Sequence, residues 1–225
     1  TITILMMMVV STLMFNDTGV NNIKQKDMEQ YPEQIQESVN LLKQMQQNSQ
    51  EFNMWKNISL ARKVINLLED IPDRGEYHTP YDKIFLLNIL CENISCSDNP
   101  RFTLSVLTRM LELFNVVQSA DYKDYDERIE RKRIENSYQK WTDYIDIENV
   151  KEDEWRKKYS RYLRFDPIER TEKWEAMNEQ IEAEIDAEID PDMPRGMGFC
   201  HYYWSLKKTV LQRHGINWQS PAVMN

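Results

Sequence analysis

Apolar residues recur along most of this chain at intervals of three and four, the spacing that lines one face of a helix. Ile35, Val39, Leu42, Met45 and Phe52 predict an amphipathic helix over about 33–55. Leu60, Val64, Leu67 and Leu68 predict a second over about 59–71, stopped by Pro72, which has no amide to continue it. The stretch DIPDRGEYHTP is a loop whose last two residues, Thr79 and Pro80, open a third helix. The hydroxyl of Thr79 can take an orphan amide, and a proline in the first turn wastes none. Ile84, Phe85, Leu86, Leu87, Ile89, Leu90 and Ile94 surround most of that helix, so it should be central. Asn99-Pro100 repeats the opening for a fourth helix over 100–118, again too apolar for one face alone.

Downstream the pattern turns aromatic and charged. Helices are predicted over about 121–145 and 151–164, separated by DIENV; Trp155, Tyr159 and Tyr162, at i, i+4 and i+7, would form an inward stripe. Asp166-Pro167-Ile168-Glu169 is another N-terminal signature, with Asp as cap and Glu three residues on. The helix it introduces carries Trp174, Met177, Ile181, Ile185 and Ile189 on one side. Pro191, Pro194, Gly196 and Gly198 form a linker, and a last helix over about 198–214 ends at Gly215, suited to a left-handed cap. No alternating strand pattern competes. The expected fold is all-α: a multi-helix bundle with a charged helical extension and a C-terminal basic helix.

Only five glycines in 225 residues agree with this, since hairpin-rich sheets need more. The expected organisation is a core bundle over 29–118, aromatic and charged helices over 119–190 ending in an acidic helix, and a basic aromatic segment over 195–225. Residues 1–27 are expected to be a non-native or disordered extension, with the natural start at Met28. Their uncharged apolar run, Ile2 to Phe15, is too short to span a membrane comfortably and lacks a basic leader. A truncated signal or anchor is the alternative. Three cysteines, Cys91, Cys96 and Cys200, form no framework and point to a reducing compartment, so a soluble cytoplasmic protein is expected.

The net charge of −9 is unevenly placed. Glu172 to Asp192 holds nine acids and one base, whereas Met193 to Asn225 holds Arg195, Lys207, Lys208 and Arg213 and no acid. These two segments are expected to lie against each other and screen one another.

Candidate chemistry is sparse. Cys91, Cys96, Cys200 and His201 match no zinc spacing, and neighbouring residues such as Cys200 and His201 diverge on a helix. Glycine-rich phosphate loops, Gly-x-Ser-x-Gly and His-Glu-x-x-His are absent from the sequence. Glu184 and Glu188, at i and i+4, could meet a hard cation, but with Glu182 and Asp186 they read better as a solvated face. No residue is therefore assigned to catalysis, to a cofactor or to a metal. Residues 122–165 interleave rings with bases, as in single-strand binders, yet eleven acids offset twelve bases there. That near-balance favours an aromatic core. In the C-terminal helix Phe199, Tyr202, Tyr203, Leu206 and Val210 share one face, while Trp204, Lys208 and Leu211 lie almost opposite. Either the helix is sandwiched between neighbours, or Trp204, Lys207, Lys208, Leu211 and Arg213 form a partner-binding face.

Residues 199–225 combine an aromatic-Trp pair, Lys207-Lys208, Gly215-Ile216-x-Trp218 and Ser220-Pro221. This pattern, under an eighth of the chain, resembles the ends of uncharacterised proteins encoded by bacteriophages and mobile elements of gut bacteria. The resemblance implies a genomic setting, a chain that continues past Asn225, and no transferable site residues. The function expected is that of a non-enzymatic interaction or assembly protein that binds a protein partner or itself. A nucleic-acid-associated accessory protein using the basic C-terminal helix is the second expectation, and an enzyme of unidentified class the third.

Overall fold

A computed structural model describes residues 29–118, 127–190, 192–194, 196, 198 and 199–224. The expectations for residues 1–27 and Met28, and the start of the helix predicted at 121, lie outside these. Among the described residues the fold is all-α, a multi-helix bundle with no strand. Its helices are α1 (Glu33–Gln50), α2 (Asn57–Glu69), α3 (Pro80–Glu92), α4 (Pro100–Phe114), α5 (Glu127–Ile145), α6 (Glu152–Lys158), α7 (Glu172–Glu188), α8 (Phe199–Arg213) and α9 (Pro221–Met224). No helix among the described residues is long and apolar enough to cross a membrane. Contacts divide the chain into two compact units, one comprising residues up to 94 with 109–131, the other 95–108 with 132–225.

In the first unit α1 packs along α2, and both meet α3. The periodic residues Ile35, Val39, Leu42, Met45, Leu60, Val64 and Leu68 are buried. Leu67 is half-buried. As its all-round apolar surface predicts, α3 is interior, with Ile84, Leu86, Leu87, Ile89 and Leu90 buried. Its start forms as read: Thr79 Oγ1 accepts the Asp82 amide, and the Asp82 carboxylate accepts the Thr79 amide at 2.7 Å.

Two helix ends in this unit differ from the predicted ones. The first helix stops at Gln50, five residues before periodicity alone would end it. Phe52 takes a left-handed φ of 61°, its amide donates to Ser49 O, and the Asn53 amide donates to Asn48 O. This is a Schellman cap with a phenylalanine where glycine is usual, and it turns Phe52 out to 59% exposure. The fourth helix ends at Phe114 and tightens into amide bonds from Asn115 to Glu112 O and from Val116 to Leu113 O, leaving Val116 exposed.

Polar groups inside this unit serve the backbone. Asn57 Nδ2 donates to Met45 O and Asn93 O at 2.9 and 2.7 Å, and Asn93 Nδ2 donates to Ile89 O at 2.9 Å. Lys83 is only 1% exposed, and its ammonium donates to Leu68 O at 2.7 Å and Ile71 O at 2.8 Å, which close the end of α2. Asp73 lies 3.1 Å from the same ammonium and also pairs with Arg109. Burial pushes the Lys83 pKa down, while the Asp73 carboxylate opposes that shift.

In the second unit the aromatic run becomes an interior. Tyr144, Trp155 and Phe165 form a mutual cluster with centroids 5.0–5.6 Å apart, and Trp141 packs on Tyr144 at 5.4 Å. The helix expected over 151–164 closes much sooner, at Lys158. Ser160 has φ 53° and the Arg161 amide donates to Arg156 O at 2.8 Å, the longer bond of a Schellman cap. The predicted Trp155-Tyr159-Tyr162 stripe is thereby broken: Trp155 is buried, Tyr159 half-buried and Tyr162 77% exposed.

The Asp166 signature also starts something other than predicted. Asp166 caps the 3₁₀ turn Pro167–Arg170, and Thr171 is the cap of α7 itself, accepting the Trp174 amide at 3.2 Å. Gly215, by contrast, takes the expected left-handed φ of 69° and closes α8 by a full Schellman pair.

Lys83→Ala should leave two buried carbonyls without a donor and open a cavity. We expect a loss of about 2–4 kcal/mol, read by urea unfolding and by faster amide exchange over α2.

Candidate functional site

Helices α7 and α8 pack against each other in the second unit, so the acidic segment and the basic tail are neighbours as their charges predict. Trp174, Ile181, Ile185, Val210, Leu211, Ile216 and Trp218 are the buried apolar set, with Met177, Ile189, Tyr203, Trp204 and Leu206 packed on it. Three of the charge contacts are direct. Lys207 meets Glu182 at 2.6 Å, Arg213 meets Glu188 at 2.5 Å, and His214 meets Glu184 at 2.9 Å. Glu184 thus faces the His214 ring and Glu188 the Arg213 guanidinium; they do not form an open carboxylate pair. Hydrogen bonding from His214 holds Glu184 below the usual carboxylate range.

The proposed contact face of α8 is divided by this packing. Leu211 is 1% exposed and Lys207 6%, both inside the unit. Trp204 is half-buried against the same core. Lys208 and Arg213 remain exposed, and Arg213 is paired. Lys207 and Leu211 thus belong to the buried face of α8, while Ser205, Lys208, Thr209, Gln212 and Arg213 are exposed on the other side. The buried side of α8 is a single face centred on Lys207, between Val210 and Leu211, and an apolar wheel does not place the interior at a lysine.

Lys207, Glu182 and Tyr203 form a closed polar set. Tyr203 Oη donates to the Glu182 carboxylate at 2.6 Å, and the Lys207 ammonium lies 5.0 Å from the centre of the Trp174 ring. Burial disfavours the charge on Lys207, but the facing Tyr203 and Glu182 oxygens outweigh it and raise its pKa well above normal. With Glu182 on α7 and Tyr203 and Lys207 on α8, these bonds clamp the two helices together.

A second carboxyl in this unit is perturbed differently. Glu169 accepts the Trp218 indole N–H at 2.7 Å and the Asp166 amide at 3.2 Å. Burial pushes its pKa up to about 7, partly offset by the indole donor. The Asp98 carboxylate adds to that rise. Among the described residues, no three His, Cys, Asp or Glu side chains converge as metal ligands.

An exposed cationic feature of this unit was read from the sequence only as part of the balanced window 122–165. Arg156, Lys157, Lys158, Arg161 and Arg164 fall within nine residues that hold no acid, and the charge count over 122–165 had averaged them away. The early end of α6 gathers them at one turn. There Asp153, Arg156, Lys157, Ser160, Arg161 and Tyr162 line an open depression of about 380 Å³. Arg156 fixes the turn: its guanidinium donates to Tyr162 O at 2.5 Å and meets Glu152 and Asp153, each at 3.3 Å. Lys158 is committed to Asp143 at 2.6 Å. Lys157, Arg161 and Tyr162 stand exposed around the opening. The local run RKKYSRYLR, read on its own, was the signal available.

Two outcomes test this account of the buried groups. Lys207→Met should cost about 3–5 kcal/mol by stranding the Glu182 charge, and adding Glu182→Gln should recover much of it in chemical denaturation. Because the folded protein holds the Glu169 proton more tightly than the unfolded chain, stability should fall as pH rises from about 4.5 to 7 and then level off. Glu169 contributes at most about 3 kcal/mol to that fall, and Glu169→Gln should flatten the profile between those limits. Comparison with protein-family models, with curated proteins and with solved structures finds no match.

Proposed function

We propose that this protein is a non-enzymatic helical interaction protein that works through exposed side chains at the turn following α6. The observation that carries this is Tyr162, 77% exposed on a turn whose main chain is pinned by Arg156. A large ring held in water stabilises nothing in the fold, whereas exposed Tyr and Arg are the residue types that dominate binding energy at interfaces. Leu163, 37% exposed, and Arg164 extend the same surface. Elsewhere in this unit the chemically capable groups described above serve packing: Glu182, Lys207 and Tyr203 satisfy each other. The likeness of residues 199–225 to proteins of bacteriophages and mobile elements suits such a role.

A photo-crosslinking amino acid in place of Tyr162, introduced in the cells of origin, should become attached to another macromolecule, while the same group in place of exposed Gln139 should not. Thermal stability should match that of the unsubstituted chain. Equal crosslinking at both positions, or none at position 162, would overturn the assignment of this turn.

A further inference from the structure

Resting on the interaction surface assigned above, we infer that the turn around Tyr162 binds single-stranded nucleic acid, stacking one base on the ring and holding phosphates with Lys157 and Arg161. Among the described residues, Lys157 and Arg161 have no carboxylate within ion-pair distance, so their charge is available to a ligand. Arg164 sits 3.5 Å from Asp153 at an exposed position, where water screens that pairing and a phosphate can compete for it. Tyr162, with its side chain largely in water, lines the depression of about 380 Å³ together with Lys157 and Arg161. An exposed ring beside unneutralised cations is the arrangement that binds an unpaired strand, because any base offers a π face and each nucleotide brings an anion.

Rigidity adds to the case. The Arg156 bond to Tyr162 O, the Schellman bond from Arg161 and the left-handed Ser160 hold the turn before any ligand arrives. Less ordering entropy is then lost on binding. A duplex keeps its bases stacked within, so it could engage the cations but not the ring. The strand should therefore be single. With a net charge of −9, the whole chain repels polyanions at long range, and binding should be modest and strongly salt-dependent.

The test is fluorescence anisotropy of the full chain with a labelled oligothymidylate, an oligouridylate of equal length and a duplex, at 50 and 200 mM salt. Both single strands should bind more tightly than the duplex, and neutralising two or three phosphates predicts roughly a seven- to eighteen-fold loss over that salt interval. Tyr162→Ala should weaken binding by about ten-fold or more and Tyr162→Phe should restore it. Lys157→Gln with Arg161→Gln should reduce the salt dependence, and Lys208→Gln should change nothing. Absence of binding at 50 mM, or binding indifferent to Tyr162 and Arg161, would overturn the nucleic-acid assignment. If crosslinks from position 162 then fall on a protein, the interaction surface stands with a different partner; if they fall on nothing, both fail.

Discussion

Each unit of this protein places a buried cation where main-chain carbonyls would otherwise face the interior unpaired. Arg170 is 1% exposed, and its guanidinium collects Tyr144 O, Asp143 O, Val150 O and Asp146 O, the oxygens that end α5 and shape the loop behind it. Lys83 does the same for the end of α2. A buried carbonyl without a donor costs about as much as a lost hydrogen bond, and a helix end presents four of them. Five donors in a planar fork suit Arg170 to four carbonyls, while the compact Lys83 ammonium serves two carbonyls and one carboxylate. With these oxygens satisfied, the chain can turn inside the protein, and the next segment can pack.

The aromatic cluster of the second unit depends on that solution. The guanidinium of Arg170 lies 5.6 Å from the centre of the Tyr144 ring, and Trp155 donates its indole N–H to Lys140 O at 2.9 Å. Glu175 performs the complementary task at a helix start, accepting the Arg101 and Phe102 amides of α4 at 3.1 and 2.8 Å. Anion at the beginning of a helix and cation at the end both follow the helix dipole. Much of the charge that looked like a solvated coat in the sequence is thus engaged with backbone or with an opposite charge. Lys157 and Arg161, where α6 closes early, stay exposed.

Helix identity and most starts were legible because they depend on neighbours in sequence. Thr79-Pro80, Gly215 and the three-and-four spacing of Ile35, Val39, Leu42 and Met45 each encode their structure within a few residues. Two helix ends were misjudged for one reason: Phe52 and Ser160 occupy left-handed caps that neither residue type signals. Asp166 bears a genuine capping signature, yet the turn it caps is too short to be the helix, and Thr171 takes over. The contact face assigned to α8 was blurred by a wheel that treats one helix alone, and the basic turn by a charge count taken over too long a window.

The all-α class, the order of the helices and the opposition of an acidic to a basic segment were determined by the sequence itself, through periodicity, caps and charge that act over one or two turns. Tertiary structure alone decided that Lys207 is a buried clamp, that Arg170 closes α5, that Glu169 holds its proton more tightly, and that Tyr162 stands in water. The first three depend on groups tens of residues away whose desolvation and hydrogen bonding exist only once the chain has folded, and the last on a left-handed cap at Ser160 that its residue type does not signal.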